Sequence, residues 1–356
     1  PAPESSLLMW KAQEFRAAAA QRILIKDGPY GTQIQAAGLA AQEYGAGTGL
    51  ERDQKGNNDL VNLTQPAVIR RICDAYIDAG AVLLATNTFN ANSISQADYG
   101  AEHLVREINL AAARVIRDAV DAASATDGIA RFVAGAMGPT NKTLSLSPKV
   151  EDPGYREVTF DEVRDVYREQ AAALVEGGAD FILIETVFDT LNCKAAIMAV
   201  KELERALGRA VPVMISLTLT DLSGRNLSGH TVEAFWHAVR HARAVAISLK
   251  CSFGADQLRP DVQVLSAIAD TLLMAYPNAG LPNDLGEYDE EPATTAALVK
   301  RWADHGQVNI LGGCCGSTPA HIAAMAAAVT GAAPRRLPQA APAMRLAGLE
   351  PFVLAA

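Results

Sequence analysis

Three cysteines in this sequence are placed to share one site. Cys251 lies in the run AVAISLKCS (244–252), and Cys314 and Cys315 lie in VNILGGCCG (308–316). Thiolates are soft ligands that favour zinc, and three protein donors with a fourth position left open is the arrangement of a catalytic zinc site. The 63 residues between Cys251 and Cys314 exclude a zinc-finger knuckle, whose cysteines stand only a few residues apart. Successive side chains on a strand point to opposite faces, so Cys314 and Cys315 reach one metal only if the chain turns there. Gly312, Gly313 and Gly316 permit such a turn. A vicinal disulfide is the competing reading, and it leaves Cys251 unexplained. Cys73 and Cys193 fall in helical patterns and read as small core hydrophobes.

Other groups could complete the chemistry. Asp27 ends RILIKDG and Glu185 ends DFILIE, both apolar runs in which a lone charge is costly. Each therefore needs either a structural ion pair or a ligand amine. Asn87 ends a third such run, AVLLATN. His237 and His241 stand four apart on one helical pattern, but the H-E-x-x-H arrangement is absent and a solvated helix face is the plainer reading. His230, in a Ser-Gly-His-Thr stretch, is a candidate for the mouth of the site.

These residues sit at the ends of eight short apolar runs: 22–28, 81–89, 131–139, 180–187, 212–219, 244–252, 270–280 and 308–316. The runs are nearly continuous rather than alternating, as expected for parallel strands covered on both faces. Helical patterns lie between them at 66–79, 161–176, 192–207, 232–243, 256–269 and 294–305, with a last one at 319–329. The alternation predicts an α/β fold, a (β/α)₈ TIM barrel whose chemistry gathers at the C-terminal strand ends. An open doubly wound sheet would need a G-x-G-x-x-G turn after the first strand, and Gly28-Pro29-Tyr30-Gly31 is not one. The reading places a helical extension at 1–21, one barrel at 22–333 and an extended tail at 334–356. It treats strands six and eight, which carry the cysteines, as neighbours.

Composition narrows the class. The chain has 356 residues, 49% hydrophobic and 20% charged, with a net charge of −9. This excludes a disordered chain and argues against a nucleic-acid surface, which needs clustered Lys and Arg. No apolar run reaches the roughly 18 residues of a membrane helix. Five cysteines, two of them adjacent, make a poor disulfide framework, and the first residues do not resemble a signal peptide. A cytoplasmic enzyme is expected.

Several motifs carry a resemblance. DGPYGTQIQ (27–35), KGNNDLVNLTQP (55–66), TNTFNAN (86–92), GPTNKT (138–143), IETVFDTLN (184–192), SGRNLSG (223–229), PNAGLPN (277–283) and GGCCGSTPAHI (312–322) resemble the homocysteine-binding module of cobalamin-dependent methionine synthase. That module belongs to the zinc homocysteine S-methyltransferases, and the likeness runs from about Arg22 to RLAGLEP (345–351). The resemblance implies a (β/α)₈ barrel in which Cys251, Cys314 and Cys315 hold Zn²⁺ and the homocysteine thiol becomes the fourth ligand. It further implies that Asp27 and Glu185 receive the substrate amine, and that the turn through Gly28, Gly31 and Thr32 takes its carboxylate, with Asn87 beside it. Methylcobalamin would be the methyl donor, carried on another domain or subunit.

Three positions depart from the family pattern. Pro29 stands where Gly or Ala is usual and removes one N–H from the carboxylate cradle. Lys250 replaces the usual Asn, either as a cation in the site or on the outer face with its head in solvent. His230 replaces the usual Gln. The cobalamin signature D-x-H-x-x-G is absent, so cobalamin-binding and folate-binding modules are expected in trans or removed. Loops 139–159 and 277–292 are long for βα connections and are expected to form the rim such a module approaches. Competing expectations are a donor such as S-methylmethionine, a non-catalytic zinc subunit, and a metal-free lyase using Lys250 as a Schiff-base nucleophile.

Overall fold

The computed structural model describes residues 4–355. The chain opens with helix α1 (Glu4–Gln21), strand β1 (Leu24–Ile25), short helices α2 (Gly31–Ala36), α3 (Ala41–Tyr44) and α4 (Val61–Thr64), and helix α5 (Pro66–Asp78). Then come β2 (Leu83–Ala85), α6 (Ser93–Gln96), α7 (Val105–Asp127), β3 (Phe132–Met137), α8 (Phe160–Glu176), β4 (Phe181–Val187) and α9 (Thr190–Leu207). The second half holds β5 (Val213–Leu217), α10 (Val232–Val239), β6 (Ala246–Gly254), α11 (Ala255–Ile268), β7 (Leu272–Asn278), α12 (Pro292–Asp304), β8 (Ile310–Leu311) and α13 (Pro319–Ala328). A hairpin of β9 (Ala343–Ala347) and β10 (Pro351–Ala355) ends it.

Eight parallel strands form one sheet in the order β1-β8-β7-β6-β5-β4-β3-β2. A bridge between Lys26 and Leu83, with backbone bonds from Asp27 N–H to Leu83 O and from Val82 N–H to Ile25 O, brings β2 against β1 and closes the ring. The fold is the (β/α)₈ barrel that the alternating runs predict. Almost every strand residue is buried, because helices cover the outside and side chains fill the inside.

Local signals set the helix ends. Pro66 begins α5 and Pro292 begins α12, where a missing N–H costs nothing. Thr159 accepts from Glu162 N–H while Glu162 reaches back, a capping box that starts α8. Asp189 caps α9 by accepting from Leu191 and Asn192 N–H. Inside the barrel, Phe15 of α1 meets Phe132 and Phe181, the first residues of β3 and β4, so α1 seals the N-terminal end. The other end is left to the long loops.

Three expectations need correction. Strands six and eight are not neighbours, because β7 lies between them and pairs with both. The tail is not simply extended chain: β9 and β10 pair antiparallel, and the turn between them accepts a bond from Thr231 N–H, at the start of α10, on Leu349 O. A 23-residue helix, α7, follows β2 where the sequence pattern places none.

Candidate metal and thiol site

The cysteines meet because two strand ends leave regular geometry. Lys250 of β6 pairs with Tyr276 of β7, and the register then shifts before Gly254. Within that shift Cys251 (φ 57°) and Ser252 (φ 65°) adopt the left-handed region, which is uncommon outside glycine. On the other side β8 stops at Leu311, and residues 312–316 turn. Cys314 N–H donates to Pro277 O, Ser317 N–H to Cys314 O, and Ala279 N–H to Cys315 O, each at 2.8–2.9 Å. Gly316 makes this possible: at φ 79° it lies so close to Tyr288 that a Cβ would sit 2.2 Å from that residue's Cβ.

All three Sγ atoms lie within 4.8 Å of one another. Cys315 Sγ is 3.8 Å from Cys251 Sγ and 3.9 Å from Cys314 Sγ. Zinc–sulfur bonds of about 2.3 Å in a tetrahedron require sulfurs about 3.8 Å apart, so the donor set fits that metal. Among the described residues no other group of three Cys, His, Asp or Glu side chains is close enough to share an ion. Hydrogen bonds from Cys314 and Cys315, with the nearby Lys250 charge, hold the Cys251 thiol far below its ordinary pKa. Cys314 is pushed up in turn by its contacts with Cys251 and Cys315 and by burial.

Beside the sulfurs opens a chamber of about 320 Å³. Gly28, Gly31, Thr32, Asn87, Glu185 and the three cysteines line it. Asp27 does not. It is fully buried behind the lining, with Oδ1 2.6 Å from Lys26 Nζ and Oδ2 accepting from Ala85 N–H at 2.8 Å. Lys250 is not on the outer face, because its Nζ lies 2.8 Å from Glu185 Oε2 inside the chamber. Both carboxylates thus already hold a lysine. The hydroxyls of Tyr30, Thr32 and Thr186 are buried without a partner, and Thr186 itself is left-handed at φ 58°. Unpaired hydroxyls and backbone strain concentrated in one cavity point to ligand binding.

The histidines lie elsewhere. His230 Nδ1 is 3.2 Å from both Thr190 Oγ1 and Ser228 Oγ, at the start of α9, and does not line the chamber. Burial lowers its pKa. His237 and His241 line a separate cleft with Arg240, Arg243 and Arg345.

A family model described as homocysteine S-methyltransferase matches residues 24–329. The chain belongs to that family. It is therefore an enzyme of thiol methyl transfer. Among solved structures it is similar to the homocysteine methyltransferase MmuM from Escherichia coli. The metallated form is 25% identical with a TM-score of 0.65, over 88% of this chain and 98% of that one. The oxidized form, 24% identical with a TM-score of 0.66 over 86% and 96%, shows the shared fold.

Within this S-methyltransferase the chamber holds residues that motif reading passes over. Lys26 directly precedes Asp27 at the end of the first apolar run, and Tyr276 is the polar-tipped ring of β7, whose OH is 3.3 Å from Glu185 Oε2. Tyr288, from loop 277–292, reaches Cys315, so this loop covers the sulfurs as well as forming a rim. Asp59 lines the chamber, accepts from Asn90 N–H at 2.9 Å and is pushed up to about 7 by burial. Lysine and tyrosine near a strand end are common enough that only their convergence marks them.

Proposed function

We propose that this chain is a zinc-dependent thiol S-methyltransferase that binds homocysteine and yields methionine, with Cys251, Cys314 and Cys315 as the metal ligands. The trio of sulfurs at zinc spacing, opening onto a chamber, carries this reading. Bound there, zinc would take the substrate thiol as its fourth ligand and favour the thiolate, since a free thiol near pKa 8.5 is mostly protonated at neutral pH.

The protein's own groups do the rest. The left-handed turn at Cys251 and the 312–316 turn hold three sulfurs in place before substrate arrives. Backbone N–H groups near Gly28, Gly31 and Thr32 would take the substrate carboxylate, with Asn87 held against the chamber by its bond to Asn58 O. Glu185, backed by Tyr276, would receive the amine; Asp27, behind the lining, orients Lys26. A one-step displacement at a methyl group needs no oxyanion hole, and the chamber asks nothing more than an exposed sulfur and an open approach. Loop 277–292 reaches the sulfurs through Tyr288, and Val150 of loop 139–159 and Leu285 of loop 277–292 stand 95% and 84% exposed. Methylcobalamin carried on a separate module is the donor this reading takes from the family resemblance.

Metal analysis with a methyl-transfer assay tests the reading. One zinc per chain is expected, lost in Cys314→Ser, and free methylcobalamin with saturating homocysteine should yield methionine. Zinc without proton release on thiol addition would sink the mechanism. Proton release with an inert methylcobalamin would instead point to another donor, such as the sulfonium S-methylmethionine.

A further inference from the structure

A second cavity lies at the opposite end of the barrel from the sulfurs. It is a cleft of about 560 Å³, a size that suits a small molecule. Ala244 and Thr271, just before β6 and β7 begin, line it together with residues of α1, α10 and β9. Its lining is cationic in a chain whose net charge is −9. Arg16 of α1, Arg240 and Arg243 between α10 and β6, and Arg345 of β9 all reach it. Asp270 is the acid among the lining residues, and Arg240 already holds it, with Nη2 2.5 Å from Oδ2 and Nε 3.2 Å from Oδ1. Arg345 bonds the carbonyl oxygens of Ala341 and Ala343, and among the described residues no ion pair involves Arg16, Arg243 or Arg345. Three guanidinium groups thus face one cleft without an anion.

Two further features mark the cleft as a site. His237 lines it with a side chain only 4% exposed, and neither ring nitrogen has a hydrogen-bond partner. Its Nε2 stands 3.5 Å from Glu233 Oε1, beyond hydrogen-bond reach. A buried polar group left unpaired costs stability, and a ligand that pairs it removes that cost. Arg243 adopts φ 51°, a left-handed conformation that glycine takes without strain, directly after the short turn 240–242. Among the described residues the other non-glycine positions with positive φ are Thr186, Cys251 and Ser252, all at or beside the thiol site. An arginine kept where glycine would relax the backbone points to a task for its side chain.

We propose that this cleft is a binding site for a small molecule bearing two linked phosphoryl groups, separate from the thiol chamber, with Arg243 and Arg345 as its main contacts and Arg16 and His237 completing it. The planar guanidinium fork matches phosphate oxygens two at a time. A carboxylate would offset only one of the three free charges. A phosphoryl group carries about 1.5 to 2 negative charges near neutral pH, so a linked pair balances the set. Such a ligand would join α1, the entry to β6 and the tail hairpin, and would stabilise the folded chain by binding it alone.

Calorimetric titration of the zinc-loaded chain with inorganic pyrophosphate, inorganic phosphate and citrate tests this. One pyrophosphate per chain should bind, at least tenfold more tightly than phosphate or citrate. Zinc content should not change, and saturating homocysteine should have no effect on the affinity. In Arg243→Gly the affinity should fall at least tenfold, while the melting temperature of the ligand-free chain holds or rises because glycine suits that backbone. Zinc content and methyl transfer of this variant should keep parental values. Arg345→Gln should weaken pyrophosphate in the same way. Absence of saturable pyrophosphate binding overturns the proposal, as does an affinity that both variants leave unchanged. Citrate binding as tightly as pyrophosphate overturns the phosphoryl assignment. Pyrophosphate binding that disappears in Cys314→Ser places the ion on the metal centre and overturns the proposal too. None of these results decides the methyltransferase reading, which is tested by the zinc and thiol measurements.

Discussion

At the scale of single residues, the chamber is made of groups that water would otherwise keep. Asp59 shows the consequence most simply. Burial raises its pKa from 3.8 to about 7, with the N–H groups of Asn90 and of Asp59 itself offsetting only part of the lost hydration. Between those two values the folded chain holds a proton that the unfolded chain has released. The stabilising contribution is therefore complete below about pH 4, falls as pH rises and is gone above about pH 7. Asn in this position keeps an acceptor for Asn90 and removes the titration. Urea unfolding of Asp59→Asn beside the parent should show the variant gaining on it between pH 5 and 8. The gain should be on the order of 2–4 kcal/mol, since each tenfold change in proton affinity between folded and unfolded chain is worth about 1.4 kcal/mol. A difference independent of pH would show that the carboxyl is not held protonated by its surroundings.

At the scale of elements, the site depends on where regular structure stops. β6 could have continued its register through Cys251, and β8 could have run on through Cys315; in both cases the sulfurs would have pointed apart. Gly316 can be tested directly. An alanine there would carry a Cβ into Tyr288 and a left-handed backbone costing about 1–2 kcal/mol. Gly316→Ala should lose at least about 2 kcal/mol of stability and weaken zinc binding, as read by competition with a chelating dye. Unchanged zinc affinity would show that the turn is not what places the sulfurs.

This element scale is also where legibility in the sequence varies. The eight runs and most helices are visible because a buried parallel strand has little choice but Val, Ile, Leu and Ala, and Pro and Gly mark the helix ends. The cysteines are visible as chemistry. The direction of Lys250 is not, since a lysine at a strand end reads equally as core or surface until its carboxylate partner is located. The hairpin of β9 and β10 escapes because prolines at 334, 338 and 342 read as extended chain, and pairing between 343–347 and 351–355 leaves little local signal. Helix α7 does carry periodic apolar positions, Val105, Ile108, Ala112, Ile116 and Val120, but its many alanines blunt the contrast.

At the scale of the whole molecule, the two ends of the barrel have separate tasks. The C-terminal end holds strained backbone, unpaired hydroxyls and two buried ion pairs, arrangements that cost stability. The N-terminal end is sealed by α1, where Phe15 is fully buried with its ring 5.0 Å from Phe132 and 5.1 Å from Phe181. No strain or buried charge appears in that aromatic contact, so it adds stability that can offset the other end. Phe15→Ala removes a large side chain from a closed space, for which about 3–5 kcal/mol is the usual cost. Denaturant unfolding should show a loss of that size. Zinc stoichiometry and thiol affinity of the folded variant should stay at parental values, because the aromatic contact and the sulfurs stand at opposite ends of the strands. Loss of zinc from a still-folded Phe15→Ala chain would show instead that the two ends are mechanically coupled, and that α1 is part of what holds the cysteines in place.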